Sequence, residues 1–278
     1  MCLTLLEPLH ERLIGFIATP LHLHDSPCPM RRRIDVFTSK TMSRVTLWLR
    51  AGSDGVQVSG DPAGHHLFMR LLFHARHDAS LKFDVKTVND NRPPQDFKNT
   101  GLRKPPGLEV ADEEPLQQVD DILNFIDRLQ PVYKADMDAE DATADLFSKF
   151  AWYIKEVNHD PKSLNTELLR IEKHLEAHES RFLSGDELSH IDCLVLTRLH
   201  SIRIAAKELK NYEIPAELKL IWRYLRDGYA EEIFRISCPS DQEIVLHWSD
   251  RPDTPSVSPQ RRAQLAREQV AFTFSIPH

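Results

Sequence analysis

The chain of 278 residues has only 9 glycines and 4 cysteines, and no uncharged apolar run reaches the length of about 18 residues that suggests a membrane helix. So little glycine, without a repeat, excludes a collagen-like chain. The cysteines are far apart and form no C-x-x-C pair, so the sequence predicts neither a zinc site nor a dithiol motif. A chain of this length needs no disulfide staples, and a reducing cytosol fits best. We expect a folded form that is soluble.

Charge of positive sign is also in short supply. Thirty-five lysines and arginines against 42 aspartates and glutamates give a net charge of -7, which excludes general attraction to phosphate backbones and makes nucleic acid an unexpected partner. Full protonation of the 14 histidines would bring the charge to at most +7, mostly between about pH 7 and pH 5 for unperturbed side chains. We therefore expect stronger association with anionic lipid in acid.

What is present is enough apolar sequence, 41% of residues, for a sizeable core in one or two domains. Alternating and helical patterns between residues 44 and 130 follow the order strand, helix, strand, strand, helix, which predicts a small α/β domain. The predicted elements are a strand at Val45–Arg50, a helix beginning at Asp61-Pro62, strands around 81–85 and at Gly107–Val110, and a helix at Val119–Leu129.

The first helix has a clear beginning, because Asp61 suits an N-cap and Pro62 suits the first helical position. Leu67 and Leu71 lie on one side of this helix, and polar residues lie on another. This spacing predicts an amphipathic surface helix with its polar face in water.

From residue 131 onward the pattern is helical, without a convincing strand, and predicts an all-helical second domain. The segment 189–209 is apolar around most of its circumference, which indicates a central buried helix. It opens with Ser189 and Asp192 at the spacing of a structural capping box. Residues 250–278 contain four prolines and scattered charge, and we interpret them as a flexible tail with at most a short helix around 261–272.

Several sequence runs carry a resemblance to a known family. An α/β domain followed by helices, with a buried helix that starts in an S-x-x-D box, resembles the glutathione-transferase fold, which has a thioredoxin-like first domain. Particular runs over 45–248 resemble the chloride intracellular channel family, most of all its invertebrate, excretory-canal-type members. These runs are LRAGSDG at 49–55, HLFM at 66–69, LFSKFAWYIK at 146–155, FLSGDEL at 182–188, DC at 192–193, IPAE at 214–217, WRYL at 222–225 and CPSDQEI at 238–244.

The resemblance implies a domain organisation and a function. It implies a thioredoxin-like domain at 44–130 and an all-helical domain at 131–249, preceded by an N-terminal extension at 1–43 that is dispensable if Met42 is an alternative start. The implied protein is cytoplasmic, associates conditionally with membrane lipid, conducts chloride and can self-associate in the membrane. Two other functions stay open: a glutathione-dependent transferase or oxidoreductase, and a cytosolic scaffold that binds protein partners.

The resemblance also points to a glutathione site. Where vertebrate relatives have a cysteine at the start of the first helix, this sequence has Asp61, and a carboxylate cannot form a mixed disulfide with glutathione. Pro106 corresponds to the cis-proline of thioredoxin-like folds. We therefore expect at most a vestigial site lined by Asp61, Pro62, Ala63 and Pro106, no enzymatic activity, and no cofactor, since glutathione binding is doubtful.

The family segment proposed to cross the bilayer corresponds to 62–88 here. Its charges make a lone span unfavourable, so insertion would need an oligomer in which Arg70, His74 and Arg76 face a water-filled lumen and favour anions. The other interpretation is the surface helix described above. His174 and His178 are four residues apart, but no third ligand is evident; we expect a solvated face and no metal site.

Overall fold

The computed structural model describes residues 45–78, 80–129 and 136–277. The predicted extension at 1–43 and the alternative start at Met42 lie outside these ranges. The extended and helical patterns of the sequence are largely reproduced, and the differences concern what the elements pack against.

A three-stranded mixed sheet organises the first half of the chain. Strand β1 is Val45–Arg50, β2 is Phe83–Val88 and β3 is Gly107–Val110, and their order in the sheet is β2-β1-β3. β1 pairs in parallel with β2 and antiparallel with β3. The parallel pair needs a crossover, which helix α1, Pro62–His77, provides.

The remaining helices follow in chain order. The first half adds α2 at Gln95–Asn99 and α3 at Val119–Leu129, and the second half contains α4 at Met137–Thr143, α5 at Leu146–Tyr153, α6 at Lys162–His178, α7 at His190–Lys210, α8 at Lys219–Ala230, α9 at Glu232–Ser237, α10 at Asp241–Ser249 and α11 at Pro259–Leu265. Within 136–277 the extended pairing is limited to an isolated bridge between Phe182 and Gly185. The predicted fold class, a thioredoxin-like domain followed by an all-helical domain, is confirmed.

One apolar core spans both halves. It joins Leu47 and Val85 of the sheet, Leu71 of α1 and side chains of α7 such as Leu196 into a continuous buried cluster. Helix α7 is central and buried, as the sequence predicted. The two halves therefore share an interior, and α1 lies in it between the sheet and α7.

The segment predicted to be a flexible tail packs against the helical half instead. Leu265 of α11 is 5% exposed, and Phe274 and Ile276 contact the apolar core although they are outside any helix or strand. Prolines and charges gave the segment the composition of a tail. Its few apolar side chains nevertheless pack against the apolar core of the helical half.

Candidate functional site

The first helix begins at a capped N-terminus. Asp61 has extended backbone dihedrals, and its Oδ1 accepts a hydrogen bond from the Ala63 N–H at 3.2 Å. Pro62 takes the first helical position, where a missing N–H leaves no partner unsatisfied. The Asp61 carboxylate thus occupies the N–H group of Ala63 at the helix start, where a thiol enzyme of this fold class would have a thiolate.

Pro106 lies at the same end of the sheet as Asp61. The Pro105-Pro106 peptide bond is cis, as the resemblance implied, and the adjacent Gly107 is paired with Trp48 near the carboxyl end of β1. A small surface cleft at this end is lined by residues that include Leu49, Asp61, Gly64 and His65. The cleft contains Asp61, a carboxylate where the chemistry of the fold class needs a thiol, whereas Pro62, Ala63 and Pro106 are not among its lining residues.

The neighbouring groups do not supply a nucleophile. Burial lowers the pKa of His247 to about 4 although the Asp61 charge opposes this shift, so His247 is neutral at pH 7 and its Nε2 accepts a hydrogen bond from Arg251 Nε at 3.2 Å. Cys193 and Cys238 are buried, and burial raises the pKa of both thiols. Both cysteines are packed side chains and, among the described residues, neither lies in the cleft beside Asp61.

Most of the polar side of α1 is buried and only its last turn is exposed, which corrects the prediction of a surface helix. Arg70 is 3% exposed, and its Nε and Nη2 donate to Asp127 Oδ1 at 3.1 and 2.6 Å. His74 Nε2 is 3.7 Å from the same oxygen. Arg76 Nη1 donates to Glu231 Oε2 at 2.9 Å. The helical pattern was right, but it could not show that carboxylates of other elements would pair with the buried Arg70 and the exposed Arg76.

Two adjacent histidines occupy the buried side of α1. Burial lowers the pKa of His65 and of His66 to about 3, and for His66 the nearby charges of Arg70 and Arg198 act in the same direction. His65 packs edge-on against Phe234 of α9, with ring centroids 5.2 Å apart. The first turns of α1 therefore pack against the interior through imidazole rings that are neutral at pH 7.

The expected charge reversal in acid is smaller than the sequence suggested. Burial also lowers the pKa of His200 well below its usual value, so His65, His66, His200 and His247 stay neutral in the folded protein at pH 5. With at most ten of the 14 histidines protonated, the net charge rises from -7 to at most +3. Composition alone counted every histidine as if it were exposed.

The predicted capping box is part of a larger buried network. Asp192 is fully buried, and its Oδ2 accepts hydrogen bonds from the Ser189 N–H at 2.8 Å and from the Ser189 hydroxyl at 2.6 Å. Its Oδ1 accepts from the Leu183 N–H at 3.1 Å and from the Tyr224 hydroxyl at 2.9 Å. Burial raises the pKa of Asp192 while these donors oppose the rise. The local spacing pointed to Ser189 but gave no sign of the two distant donors.

The predicted solvated face of α6 is only partly correct. His174 is 8% exposed, and its Nε2 hydrogen-bonds to the Leu183 carbonyl oxygen at 2.8 Å. His178 Nδ1 hydrogen-bonds to the His174 carbonyl oxygen at 2.9 Å. Across the described ranges, no group of three or more His, Cys, Asp or Glu side chains could hold a metal ion.

A contact between the two halves was missed from the sequence. Glu243 of α10 accepts hydrogen bonds from the Ser53 N–H at 2.9 Å, to both carboxylate oxygens, and from the Ser53 hydroxyl at 2.5 Å. Gly60 lies so close to α10 that a Cβ there would overlap the backbone of Glu243 and Ile244. Ser53 and Glu243 belong to two of the runs that carry the family resemblance. This membership was the only sequence signal that could have drawn attention to the two residues.

None of the helices within residues 45–78, 80–129 and 136–277 has both the length and the apolar character of a membrane span.

Comparisons with known proteins identify a relative in the chloride intracellular channel family. The chain is 55% identical over 238 residues to the chloride intracellular channel exl-1 of Caenorhabditis elegans, an alignment that covers 84% of this chain and all of that protein. No family model matches the chain.

Solved structures share the fold. The crystal structure of the chloride intracellular channel homologue EXC-4 of C. elegans superposes with a TM-score of 0.73 at 24% identity, over 86% of this chain and 91% of that chain. A dehydroascorbate reductase of Chlamydomonas reinhardtii superposes with a TM-score of 0.61 at 18% identity, over 75% of this chain and 98% of that one. An omega-class glutathione transferase of Trametes versicolor gives 0.57 at 15% identity, over 80% and 98% of the two chains.

Proposed function

The chain belongs to the chloride intracellular channel family, and from that premise we propose that it exchanges between a dissolved cytoplasmic form and a membrane-associated form that conducts chloride. The membrane-associated form would use α1 and the strand that follows it. Helix α1 has 16 residues and is about 24 Å long at 1.5 Å per residue. It is shorter than the hydrocarbon core of about 30 Å, so the adjoining segment and an oligomer are both needed.

One observation carries this proposal: each side chain named for the lumen lies beside a carboxylate that is not on α1. Arg70 and His74 lie beside Asp127 of α3, and Arg76 pairs with Glu231, which precedes α9. If α1 leaves its packed position between the sheet and α7, these carboxylates stay with α3 and α9. The cations then become available to a water-filled lumen, where they favour anions. In the docked form they are neutralised.

The test is a planar-bilayer recording with the purified protein under a KCl gradient. We expect the reversal potential to lie near the chloride equilibrium value for the wild type and to move toward zero in Arg70→Gln and Arg76→Gln. Arg92→Gln is the matched control, since it removes the same charge from an exposed loop. Unchanged selectivity in both α1 variants would remove this helix from the pore, and the absence of any conductance would contradict the channel proposal.

Association with vesicles can be measured separately. We expect more protein to sediment with anionic vesicles at pH 5 than at pH 7.5. Protonation of His66, which lies near Arg70, Arg198, His65 and Asp127, favours conformations in which α1 is solvated, because His66 is neutral in the docked form. Equal sedimentation at both pH values would contradict this part of the proposal.

The glutathione-dependent alternative is favoured by the reductase and transferase folds among the structural neighbours. We propose that this chain does not use that chemistry. At the nucleophile position the Asp61 carboxylate accepts the Ala63 N–H, and it would repel the negative charge of glutathione. A calorimetric titration with glutathione should show no heat of binding. Saturable binding together with turnover of a thiol-dependent substrate would favour the alternative.

A further inference from the structure

Residues 269–276 lie against the helical half outside any helix or strand and are held mainly through their backbone. The Asp241 N–H donates to the Ala271 carbonyl oxygen at 2.9 Å. The side-chain amide of Gln242 donates to the Gln269 carbonyl oxygen at 2.7 Å and accepts from the Ala271 N–H at 3.1 Å. The first turn of α10 thus binds this segment in the way that a groove binds a peptide.

The next residues are held equally closely. The Thr273 N–H donates to Asp241 Oδ1 at 3.2 Å, and the Thr273 hydroxyl donates to Oδ2 at 2.5 Å. Arg203 of α7 donates through Nη1 to the Thr273 carbonyl oxygen at 3.0 Å, and its Nη2 donates to the Ser275 carbonyl oxygen. Because the donors and acceptors come from two packed helices, the site is preformed for the backbone of this segment.

One aromatic side chain anchors the segment. The Phe274 ring centroid is 5.4 Å from that of Tyr229, 6.0 Å from that of His200 and 6.1 Å from that of Phe234. Ring pairs at these separations contribute beyond the burial of apolar area. The backbone contacts set the direction of the segment, and Phe274 fixes its register.

Phe274 is linked to α1 through the side chain of Phe234, which contacts both. Phe234, which contacts Phe274, also contacts His65 of α1, with centroids 5.2 Å apart. Glu231, which precedes α9, pairs with Arg76 near the end of α1. Helix α9 therefore lies between the C-terminal segment and α1, and its position depends on both.

The segment can leave without disrupting a helix. The last helix before it ends at Leu265, and Val270 and Phe272 are 44% and 42% exposed. Contacts of a partly exposed segment outside helices and strands open at lower cost than those in the interior of a domain. Its release would uncover Phe234 and loosen α9 against α1.

We propose that residues 269–276 are a tethered ligand of the groove formed by α7, α8, α9 and α10, and that their binding holds α1 in its docked position. Release of this ligand is then the step that frees α1. The structural claim concerns the dissolved protein only; its consequence for membranes rests on the proposed function.

The test is amide hydrogen exchange at pH 7.5, without lipid, on a chain that ends at Ala266 and on Phe274→Ala. We expect amides of α1 to exchange about tenfold faster or more than in the wild type, because a partly buried aromatic anchor is lost. Amides of α6, which does not contact the segment, should change little. A synthetic peptide of residues 267–277 added to the truncated chain should restore protection of α1, and the same peptide with Phe274→Ala should not.

Val270→Ala is the matched control, since Val270 lies in the same segment but is exposed, and it should exchange like the wild type. Exchange of α1 within twofold of the wild type in Phe274→Ala would overturn the proposal. So would equal acceleration of α1 and α6, which indicates general destabilisation, or a failure of the peptide to restore α1. If the truncated chain does not fold, Phe274→Ala and Val270→Ala decide the question alone.

A second arm adds anionic vesicles of phosphatidylserine and phosphatidylcholine. We expect Phe274→Ala to sediment with vesicles more than the wild type does. If α1 exchanges faster in this variant but no form of the protein sediments, the tethered ligand stands and the membrane proposal fails. If sedimentation occurs but α1 exchange is unchanged by the variant, the tethered ligand is wrong and the membrane proposal stands.

Discussion

The sharpest prediction concerns His65, which is buried beside Phe234 and whose Nε2 has no hydrogen-bond partner among the described residues. The substitution His65→Phe would keep an aromatic ring at this position and remove the titratable group. The variant should be at least as stable as the wild type at pH 7.5, because no hydrogen bond of that nitrogen is lost.

The magnitude follows from the pKa. In the unfolded chain a histidine titrates near 6.5, whereas burial lowers the pKa of His65 to about 3 in the folded protein. The unfolded state therefore binds the proton more strongly, so stability is present above pH 6.5 and is lost as the pH falls from there toward 3. Each pH unit in this window costs about 1.4 kcal/mol, which amounts to about 2 kcal/mol per histidine between pH 7.5 and pH 5.

The assay is urea unfolding followed by circular dichroism at pH 7.5, 6.5, 5.5 and 5.0. The wild type should lose stability steadily below pH 6.5, and His65→Phe should lose about 2 kcal/mol less by pH 5. His159→Gln is the control, since His159 is exposed, and it should follow the wild type. Identical losses in His65→Phe and the wild type would show that His65 does not take up a proton on unfolding, and the argument from burial would be refuted.

Three further predictions concern packing and chemistry. Gly60→Ala should lower the free energy of unfolding, measured with urea, by about 1–3 kcal/mol, because the new Cβ would overlap the backbone at Ile244. An unchanged free energy would mean that α10 can shift without cost. Tyr224→Phe should cost about 1–3 kcal/mol in the same assay, since it removes the 2.9 Å hydrogen bond to the buried Asp192, and a loss below 0.5 kcal/mol, about the effect of an ordinary surface substitution, would contradict that role. Asp61→Cys should place a thiol of lowered pKa at the start of α1 and form a mixed disulfide with oxidised glutathione, detected by mass spectrometry. The wild type is the control, and a variant whose new thiol stays unmodified would show that the rest of the site no longer binds glutathione.

Much of the fold could be predicted because its signals are local. The strand at Val45–Arg50 and the start of α1 after Asp61 follow from alternation and from cap chemistry within a few residues. Burial of α7 followed from apolar residues around most of its circumference. The short helix α9 was not predicted, since a helix of 6 residues has too little periodicity to detect.

The candidate site could be predicted in part. The identity of the residue at the nucleophile position, Asp61, is a fact of the sequence, and its capping role followed from the proline after it. The partners of Arg70, the neutrality of His65 and His66, and the packing of the C-terminal segment could not be predicted. All of these depend on groups brought close by folding, and a composition or a periodicity contains no information about distance in space.

By itself, the sequence determined which segments form helices and strands, where α1 and α7 begin, and that no thiol stands at Asp61, because each of these depends on residues a few positions apart. Only the tertiary structure decided that the cations of α1 are neutralised and that the two halves are joined. Arg70 and Asp127 are 57 positions apart, and Ser53 and Glu243 are 190 positions apart. The strength of such pairs depends on the burial and geometry that the completed fold imposes on them.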